Sequence, residues 1–191
     1  RFHFMSEDLP ENLCVLISET ACINILARKL IALDIGRTNT RDSKLIKLTD
    51  EMFEVMYQAP GIGLAAPQIG VQKQLFVYDV DDEPQVLINP KIVESSGEWV
   101  YDEGCLSIPG LYVEMLRPKL VLVEATNLDG NTIQIEADEL LARLFQHEID
   151  HLQGVLMFER MTPDQRKQAL AEYRRREENK IESEPTHLRL S

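Results

Sequence analysis

The pattern of apolar and polar residues late in the chain predicts one buried helix over residues 140–152. Its apolar positions cover most of the helical circumference: Leu140, Leu141, Leu144, Phe145, Ile149 and Leu152. The remaining positions form a single polar stripe at helical spacing: Arg143, Gln146, Asp150 and Gln153. A helix that is apolar nearly all round lies inside a protein, and Gly154 is suited to end it.

Apolar residues at helical spacing predict three further helices. The first covers residues 22–33, and the second covers residues 44–58. This second helix ends before Pro60, because the residue before a proline disfavours helical backbone. The last helix begins at Thr162, which starts an N-capping box with proline at the first helical position, and it continues to about residue 179. The inner face of the second helix is formed by Leu45, Leu48, Met52, Val55 and Met56.

The middle of the chain is rich in strands. Residues 61–70 are predicted to form a loop of small residues, which lets another backbone or a ligand approach closely. A hairpin is predicted around Asp129-Gly130. Since few strands flank a helix in β-α-β order, an α+β fold is favoured, with antiparallel β-sheets packed around a central metal-binding helix and a C-terminal helix. The predicted strands cover residues 74–80, 85–89, 91–94, 98–100, 119–125 and 132–137.

Composition narrows the class of protein. The 191 residues fit one domain with a sizeable core. The net charge of −12 argues against nucleic acid as a direct ligand, because phosphate binding needs a basic surface. The three cysteines have no compact spacing, so we expect no disulfide framework and a reducing compartment. No apolar run approaches the roughly 20 residues of a membrane span, so no membrane partner is expected.

The central helix carries the pattern His-Glu-x-x-His at His147, Glu148 and His151. Residues four apart share a helix face, so both imidazoles can hold one metal ion. Glu148 can then act on a water as a general base, as in metal-dependent hydrolases. Such a centre usually has three protein ligands, and the candidates for the third are Glu159 and Cys105.

Three interpretations follow from this motif. A third ligand at Glu159 would make a metallopeptidase of the zincin kind, whereas Cys105 would give a Cys-His-His site with one open position. In a third interpretation, the chain is a non-catalytic binding module that a metal stabilises.

Three separated segments together resemble the signature of the peptide deformylases. They occur in the order and approximate spacing of that family, and the resemblance extends over about residues 45–161. The combination is specific where each segment alone is not. The segments are Gly61-Ile62-Gly63-Leu64-Ala65-Ala66-Pro67-Gln68, Glu103-Gly104-Cys105-Leu106-Ser107 and Gln146-His147-Glu148-Ile149-Asp150-His151-Leu152-Gln153-Gly154.

The resemblance implies a co-translational hydrolase of protein biosynthesis that removes the N-formyl group from the N-terminal methionine of nascent polypeptides and releases formate. It implies Fe(II) as the native metal, with Zn, Ni or Co able to substitute. Glu148 would be the general base and then acid, and Gln68 and the backbone N–H of Leu106 would stabilise the oxyanion. The metal ligands would be Cys105, His147 and His151, and the substrate-binding residues would be Ile62, Gly63, Gly104, Leu140 and Leu144.

The resemblance also bears on domains, partners and compartment. Residues 1–43 lack the segment with which family members usually begin, so we expect an N-terminal extension at 1–43 and the catalytic domain at 44–191. Tyr112, Glu114 and Arg117 follow a form that resembles the 1B subclass of plant organelles and some bacteria. We therefore expect a bacterial cytoplasmic protein, with a plastid or mitochondrial location as the alternative. The last helix would dock near the ribosome exit tunnel.

Overall fold

The computed structural model describes residues 42–183. Its helices are α1 (Ser43–Gln58), α2 (Glu139–Leu152) and α3 (Pro163–Ser183). The predicted helix at residues 22–33 and most of the predicted N-terminal extension lie outside this range. None of the described helices is both long and apolar enough to span a membrane. The strands are β1 (Gly63–Ala65), β2 (Leu75–Val80), β3 (Glu83–Ser96), β4 (Trp99–Cys105), β5 (Ile108–Arg117), β6 (Leu120–Thr126) and β7 (Thr132–Asp138).

All strand pairs in the described residues are antiparallel. Five strands form one sheet in the order β1-β2-β3-β6-β7, and β4 and β5 form a separate two-stranded ribbon. Helix α2 contacts all five strands of the large sheet, and α3 packs on the ribbon. The α+β class with antiparallel sheets and a C-terminal helix is thus as the sequence predicts.

Helix α2 packs its apolar side against the large sheet. Phe145 is fully buried, and its ring lies 5.8 Å from that of Phe76 and 5.0 Å from that of Tyr78. Ile149 and Leu152 complete this side of the helix. Each such side chain contributes about 1.5–3 kcal/mol when it is buried, so the helix is fixed firmly in the core.

Helices α1 and α3 follow their predicted limits closely. The side chain of Asp42 caps α1 by accepting a hydrogen bond from the backbone N–H of Lys44, at 3.1 Å. The predicted inner face of α1 is buried, except that Leu48 is only partly so. At the start of α3, the backbone N–H of Gln165 donates to Thr162 Oγ1 at 3.3 Å and that of Thr162 to Gln165 Oε1 at 3.1 Å, which is the predicted capping box. The helix continues four residues beyond its predicted end.

The prediction of a loop at residues 61–70 is wrong. Gly63–Ala65 forms β1, which pairs with β2, and Ala66–Ile69 forms a 3-10 turn. Leu64 and Ala65 are completely buried. Buried backbone groups need hydrogen-bond partners, and pairing with β2 supplies them. The separate strands predicted at 85–89 and 91–94 are one strand, β3, whose register shifts near Pro90, where a ladder donor is missing.

The β4–β5 ribbon is the largest feature that the sequence pattern missed. The predicted strand at 98–100 continues to Cys105, and β5 was not predicted. Pro109 and Gly110 interrupt the start of β5, and its buried positions do not alternate strictly with exposed ones. The ribbon carries Cys105 to the side chains of α2.

Candidate active site

Three side chains that can bind a metal meet where β4 ends against α2. Cys105 Sγ lies 3.2 Å from His151 Nε2, which lies 3.1 Å from His147 Nε2. All three residues are buried, and their ligand atoms lie within 4.8 Å of one another. Glu159 lies elsewhere: its carboxylate accepts a hydrogen bond from the backbone N–H of Leu156, at 2.8 Å. The third ligand candidate that joins the histidines is therefore Cys105.

The chemistry of this group fits a divalent transition metal. Burial raises the pKa of the Cys105 thiol, but the adjacent imidazoles of His151 and His147 lower it by more, so it falls well below its usual value. Cysteine binds metals as the thiolate. A thiolate with two imidazoles suits zinc, iron or nickel.

Glu103 supports the first histidine from behind. Its Oε1 lies 2.8 Å from His147 Nδ1, which leaves Nε2 directed at Cys105 and His151. Burial raises the pKa of the Glu103 carboxyl, but hydrogen bonds with His147 and Arg117 lower it by more, so it stays well below its usual range. A carboxylate on the far nitrogen of a metal-binding histidine fixes the ring orientation.

Glu148 lies beside the three ligand candidates with one free acceptor atom. It is 4% exposed, and its Oε2 has no hydrogen-bond partner within residues 42–183. A Cβ atom on Gly63 would lie only 2.7 Å from Glu148 Oε1, so only a glycine at this position avoids a steric clash with the carboxylate. Burial raises the pKa of Glu148, which suits a group that accepts and then returns a proton.

Gln68 and Leu106 line the same cleft as Glu148. Gln68 sits in the 3-10 turn after β1, where its Oε1 accepts from the backbone N–H of Ala65 at 2.7 Å. Its Nε2 donates to Ser107 Oγ at 3.2 Å, which leaves one amide hydrogen for another acceptor. The orientation of this amide is therefore fixed by two neighbouring segments.

Most of these residues line a cleft of about 540 Å³ between β1 and the ribbon, and His151 is not among its lining residues. Strand β1 pairs only with β2, and β4 only with β5, so each has an edge without a strand partner in the described part of the chain. Leu140 and Ile62 are each about 45% exposed at the cleft and give it an apolar rim. The sequence-predicted site residues found in the lining are Ile62, Gly63, Gln68, Gly104, Cys105, Leu106, Leu140, Leu144, His147 and Glu148.

The sequence model of the family described as polypeptide deformylase matches residues 24–167, which is more than half of the chain. The chain belongs to the polypeptide deformylase family. Among curated relatives, a peptide deformylase of Hydrogenovibrio crunogenus is 49% identical over 135 residues, which cover 69% of this chain and 80% of the relative. The chloroplastic peptide deformylase 1B of rice is 48% identical over 134 residues, covering 67% of this chain and 50% of the relative.

Solved structures of deformylases share the fold. The Legionella pneumophila peptide deformylase superposes with a TM-score of 0.75 at 38% identity, covering 83% of this chain and 94% of that one. The Synechococcus elongatus enzyme, solved in complex with actinonin, gives a TM-score of 0.71 at 40% identity, covering 76% and 82%. Family members are metal-dependent enzymes that remove N-formyl groups from nascent peptides. The predicted family, fold class and activity are confirmed, and the zincin alternative is not favoured.

The chain also buries a network of charges that the sequence did not predict. Arg117 binds both oxygens of Glu103 at 2.6 and 2.7 Å and reaches Asp150 Oδ2 at 2.9 Å. Asp150 accepts in addition from Arg160, at 2.5 and 3.0 Å. The signal was the polar stripe on the predicted helix: three of its four residues, Arg143 included, are buried and have polar partners.

Proposed function

We propose that this chain hydrolyses N-formylmethionyl nascent peptides to formate and a free amino terminus, with Cys105, His147 and His151 holding one divalent metal ion. The observation that carries the proposal is the meeting of these three ligand atoms beside Glu148, at a cleft between β1 and the ribbon. Within residues 42–183, Glu148 Oε2 has no hydrogen-bond partner. A single metal ion would satisfy the buried thiolate and both imidazoles together.

Glu148 moves the protons of the reaction. A divalent metal ion held by Cys105, His147 and His151 would act as a Lewis acid that lowers the pKa of a water and polarises the formyl carbonyl. Glu148 takes one proton from the attacking water as the oxygen atom of that water bonds to the formyl carbon. It passes this proton to the amine nitrogen as the C–N bond breaks, so the products are formate and the free amine. The unpartnered Oε2 is the atom available for this proton.

Gln68 and Leu106 stabilise the negative oxygen that develops on the formyl carbon. The free amide hydrogen of Gln68 and the backbone N–H of Leu106 are the proposed donors. A comparable donor in an oxyanion hole is worth about 2.7–4 kcal/mol in the transition state. The hydrogen bonds of Gln68 with Ala65 and Ser107 hold its amide in place before substrate binds.

The substrate backbone docks as an added strand between β1 and β4. Ile62, Gly63 and Gly104 supply the backbone groups that pair with it. The apolar side chains of Ile62, Leu140 and Leu144 then contact the methionine side chain. A formyl group carries no side chain, so the narrow wall around Gly63 admits it and excludes bulkier acyl groups.

The proposed native metal is Fe(II), with Zn, Ni or Co able to substitute. The support is the donor set, because a thiolate with two imidazoles suits each of these ions and availability decides among them. Iron beside the Cys105 thiolate would make the enzyme sensitive to oxygen. Metal content of the protein purified without oxygen, measured by mass spectrometry, tests this assignment.

The proposed setting is the ribosome of a bacterial cytoplasm, with a plastid or mitochondrion as the alternative. The relatives include bacterial and chloroplastic proteins. Arg174 and Arg175 are exposed on α3 and would contact the ribosome. Charge reversal at both positions should reduce co-sedimentation with ribosomes, whereas Lys47→Glu on α1 should not. Residues 44–191 remain the proposed catalytic domain and 1–43 an N-terminal extension, although the family match begins at residue 24.

Formate release from formyl-Met-Ala-Ser tests the activity and its ligand set. The wild-type chain, purified without oxygen, should release formate with one metal ion bound. Cys105→Ala should lose the metal and the activity together, whereas Glu159→Ala should keep both. Retention of metal and activity in Cys105→Ala, with loss in Glu159→Ala, would overturn the proposed ligand set.

A further inference from the structure

Arg143 is a buried cation on α2, one helical turn before His147. It is 3% exposed and points away from the large sheet toward the ribbon. The His-Glu-x-x-His pattern begins at His147, so Arg143 is outside it. Burial of a guanidinium is costly unless its donors are satisfied, and its partners therefore show what it holds together.

The guanidinium of Arg143 binds both strands of the ribbon. Its Nη2 donates to the backbone oxygen of Trp99 on β4 and to that of Met115 on β5, each at 2.9 Å. Its Nη1 donates to Glu103 Oε2 at 2.8 Å. One side chain of α2 therefore fixes the ribbon, which carries Cys105, against the helix that carries both histidines.

The contact with Glu103 leads directly to a proposed metal ligand. The other oxygen of Glu103 accepts from His147 Nδ1 at 2.8 Å, so the carboxylate lies between Arg143 and the imidazole. Arg117 binds Glu103 from β5, within the ribbon. Arg143 differs because it binds Glu103 from the same helix as His147. It thereby sets the position of this carboxylate relative to the ring.

The indole of Trp99 covers the guanidinium on its outer side. The Arg143 Cζ atom lies 5.1 Å from the centre of the Trp99 ring, and Tyr101 stacks on that ring at 4.6 Å. The attraction between a cation and the face of an indole contributes about 0.5–2 kcal/mol. Trp99 is the single tryptophan of the chain, so all indole fluorescence comes from the ring that contacts Arg143.

We infer that Arg143 is a positioning residue of the metal centre, which aligns His147 through Glu103 and holds the Cys105 strand against α2. This inference rests on the ligand set proposed above. Loss of a residue that orients a metal ligand typically weakens metal binding 10–100-fold. Since Arg143 acts through Glu103, we expect an effect near the lower end of that range.

The test is the rate at which zinc leaves the full chain, followed with an excess of a coloured chelator. Zinc is chosen because it has no redox chemistry. Arg143→Lys keeps the positive charge but cannot reach all three acceptors, so it should lose zinc about tenfold faster than the wild type. The matched control is Gln146→Leu. It removes another buried hydrogen bond of α2, from Gln146 Nε2 to the backbone oxygen of Pro118 at 3.0 Å, and Gln146 makes no hydrogen bond with Glu103.

Comparison with thermal stability separates positioning from a merely structural role. Both variants should have a lower melting temperature than the wild type, but only Arg143→Lys should release zinc faster. A wild-type zinc release rate in a destabilised Arg143→Lys would overturn the inference. A wild-type chain that binds no zinc would instead overturn the proposed metal site itself.

Fluorescence of the wild type provides a second test that needs no variant. Removal of zinc frees the His147 ring, and the change passes through Glu103 and Arg143 to the indole. The emission of Trp99 should therefore shift when zinc is removed and return when zinc is added back. Emission that stays unchanged through complete removal and return of zinc would contradict the coupling.

Discussion

Gly63 leaves no room for a side chain beside the Glu148 carboxylate. A Cβ atom at position 63 would lie 2.7 Å from Glu148 Oε1 and 3.1 Å from its Cδ, whereas ordinary contact begins at 3.4 Å. In Gly63→Ala the carboxylate must therefore move by about 0.7 Å. A misplacement of about 1 Å at a catalytic group can cost about 10²-fold in rate, so we expect kcat for formyl-Met-Ala-Ser to fall about 10- to 100-fold.

Binding of the metal should be little affected by Gly63→Ala. Glu148 is not a proposed ligand, so the variant should bind one metal ion as the wild type does. The matched control is Gly61→Ala in the same segment, where the new Cβ would meet the end of the flexible Leu106 side chain at 2.6 Å. That side chain can turn aside, so kcat should change by less than about threefold. A Gly63→Ala enzyme with wild-type kcat would refute the reasoning about Glu148.

Three other expectations concern single features of the site. Gln68→Ala should lower kcat/KM for the formyl peptide by about 10²–10³-fold at unchanged metal content, because one oxyanion donor is lost; urea unfolding should show the fold intact. Arg117→Met leaves the buried carboxylates of Glu103 and Asp150 short of a cation, so urea unfolding should show a loss of about 3–5 kcal/mol. The iron-loaded enzyme should lose formate release in air, because iron beside the Cys105 thiolate is sensitive to oxygen. The zinc-loaded enzyme should keep its activity, because zinc has no redox chemistry.

The local patterns of the chain were enough to predict the helices and most strands of the large sheet. Helical periodicity is a property of neighbouring residues, so α1 and α2 were predicted within one residue at each end. The pair His147 and His151 follows from the same periodicity. Cys105 was placed with them by resemblance to a family, because no local pattern relates it to residues more than 40 positions away.

The ribbon and its charges depend on contacts that no local pattern contains. Strand β5 is stabilised by pairing with β4 and by packing against α3 around Leu111, Met115 and Ala169. The carboxylate of Glu103 is buried because Arg117 and Arg143 reach it from different elements. On the sequence alone, these residues resemble exposed charges. Two residues of the predicted polar stripe, Arg143 and Asp150, are buried and form ion pairs that connect α2 to the ribbon.

The most direct test of the account is formate release by Glu148→Gln, measured beside its metal content. The glutamine has the size of the glutamate but cannot accept the proton of water. Because Glu148 is not a proposed ligand, we expect the variant to keep one metal ion and to lose nearly all turnover of formyl-Met-Ala-Ser. Turnover at the wild-type rate, or loss of the metal together with the activity, would contradict the role of Glu148 as the group that moves the proton.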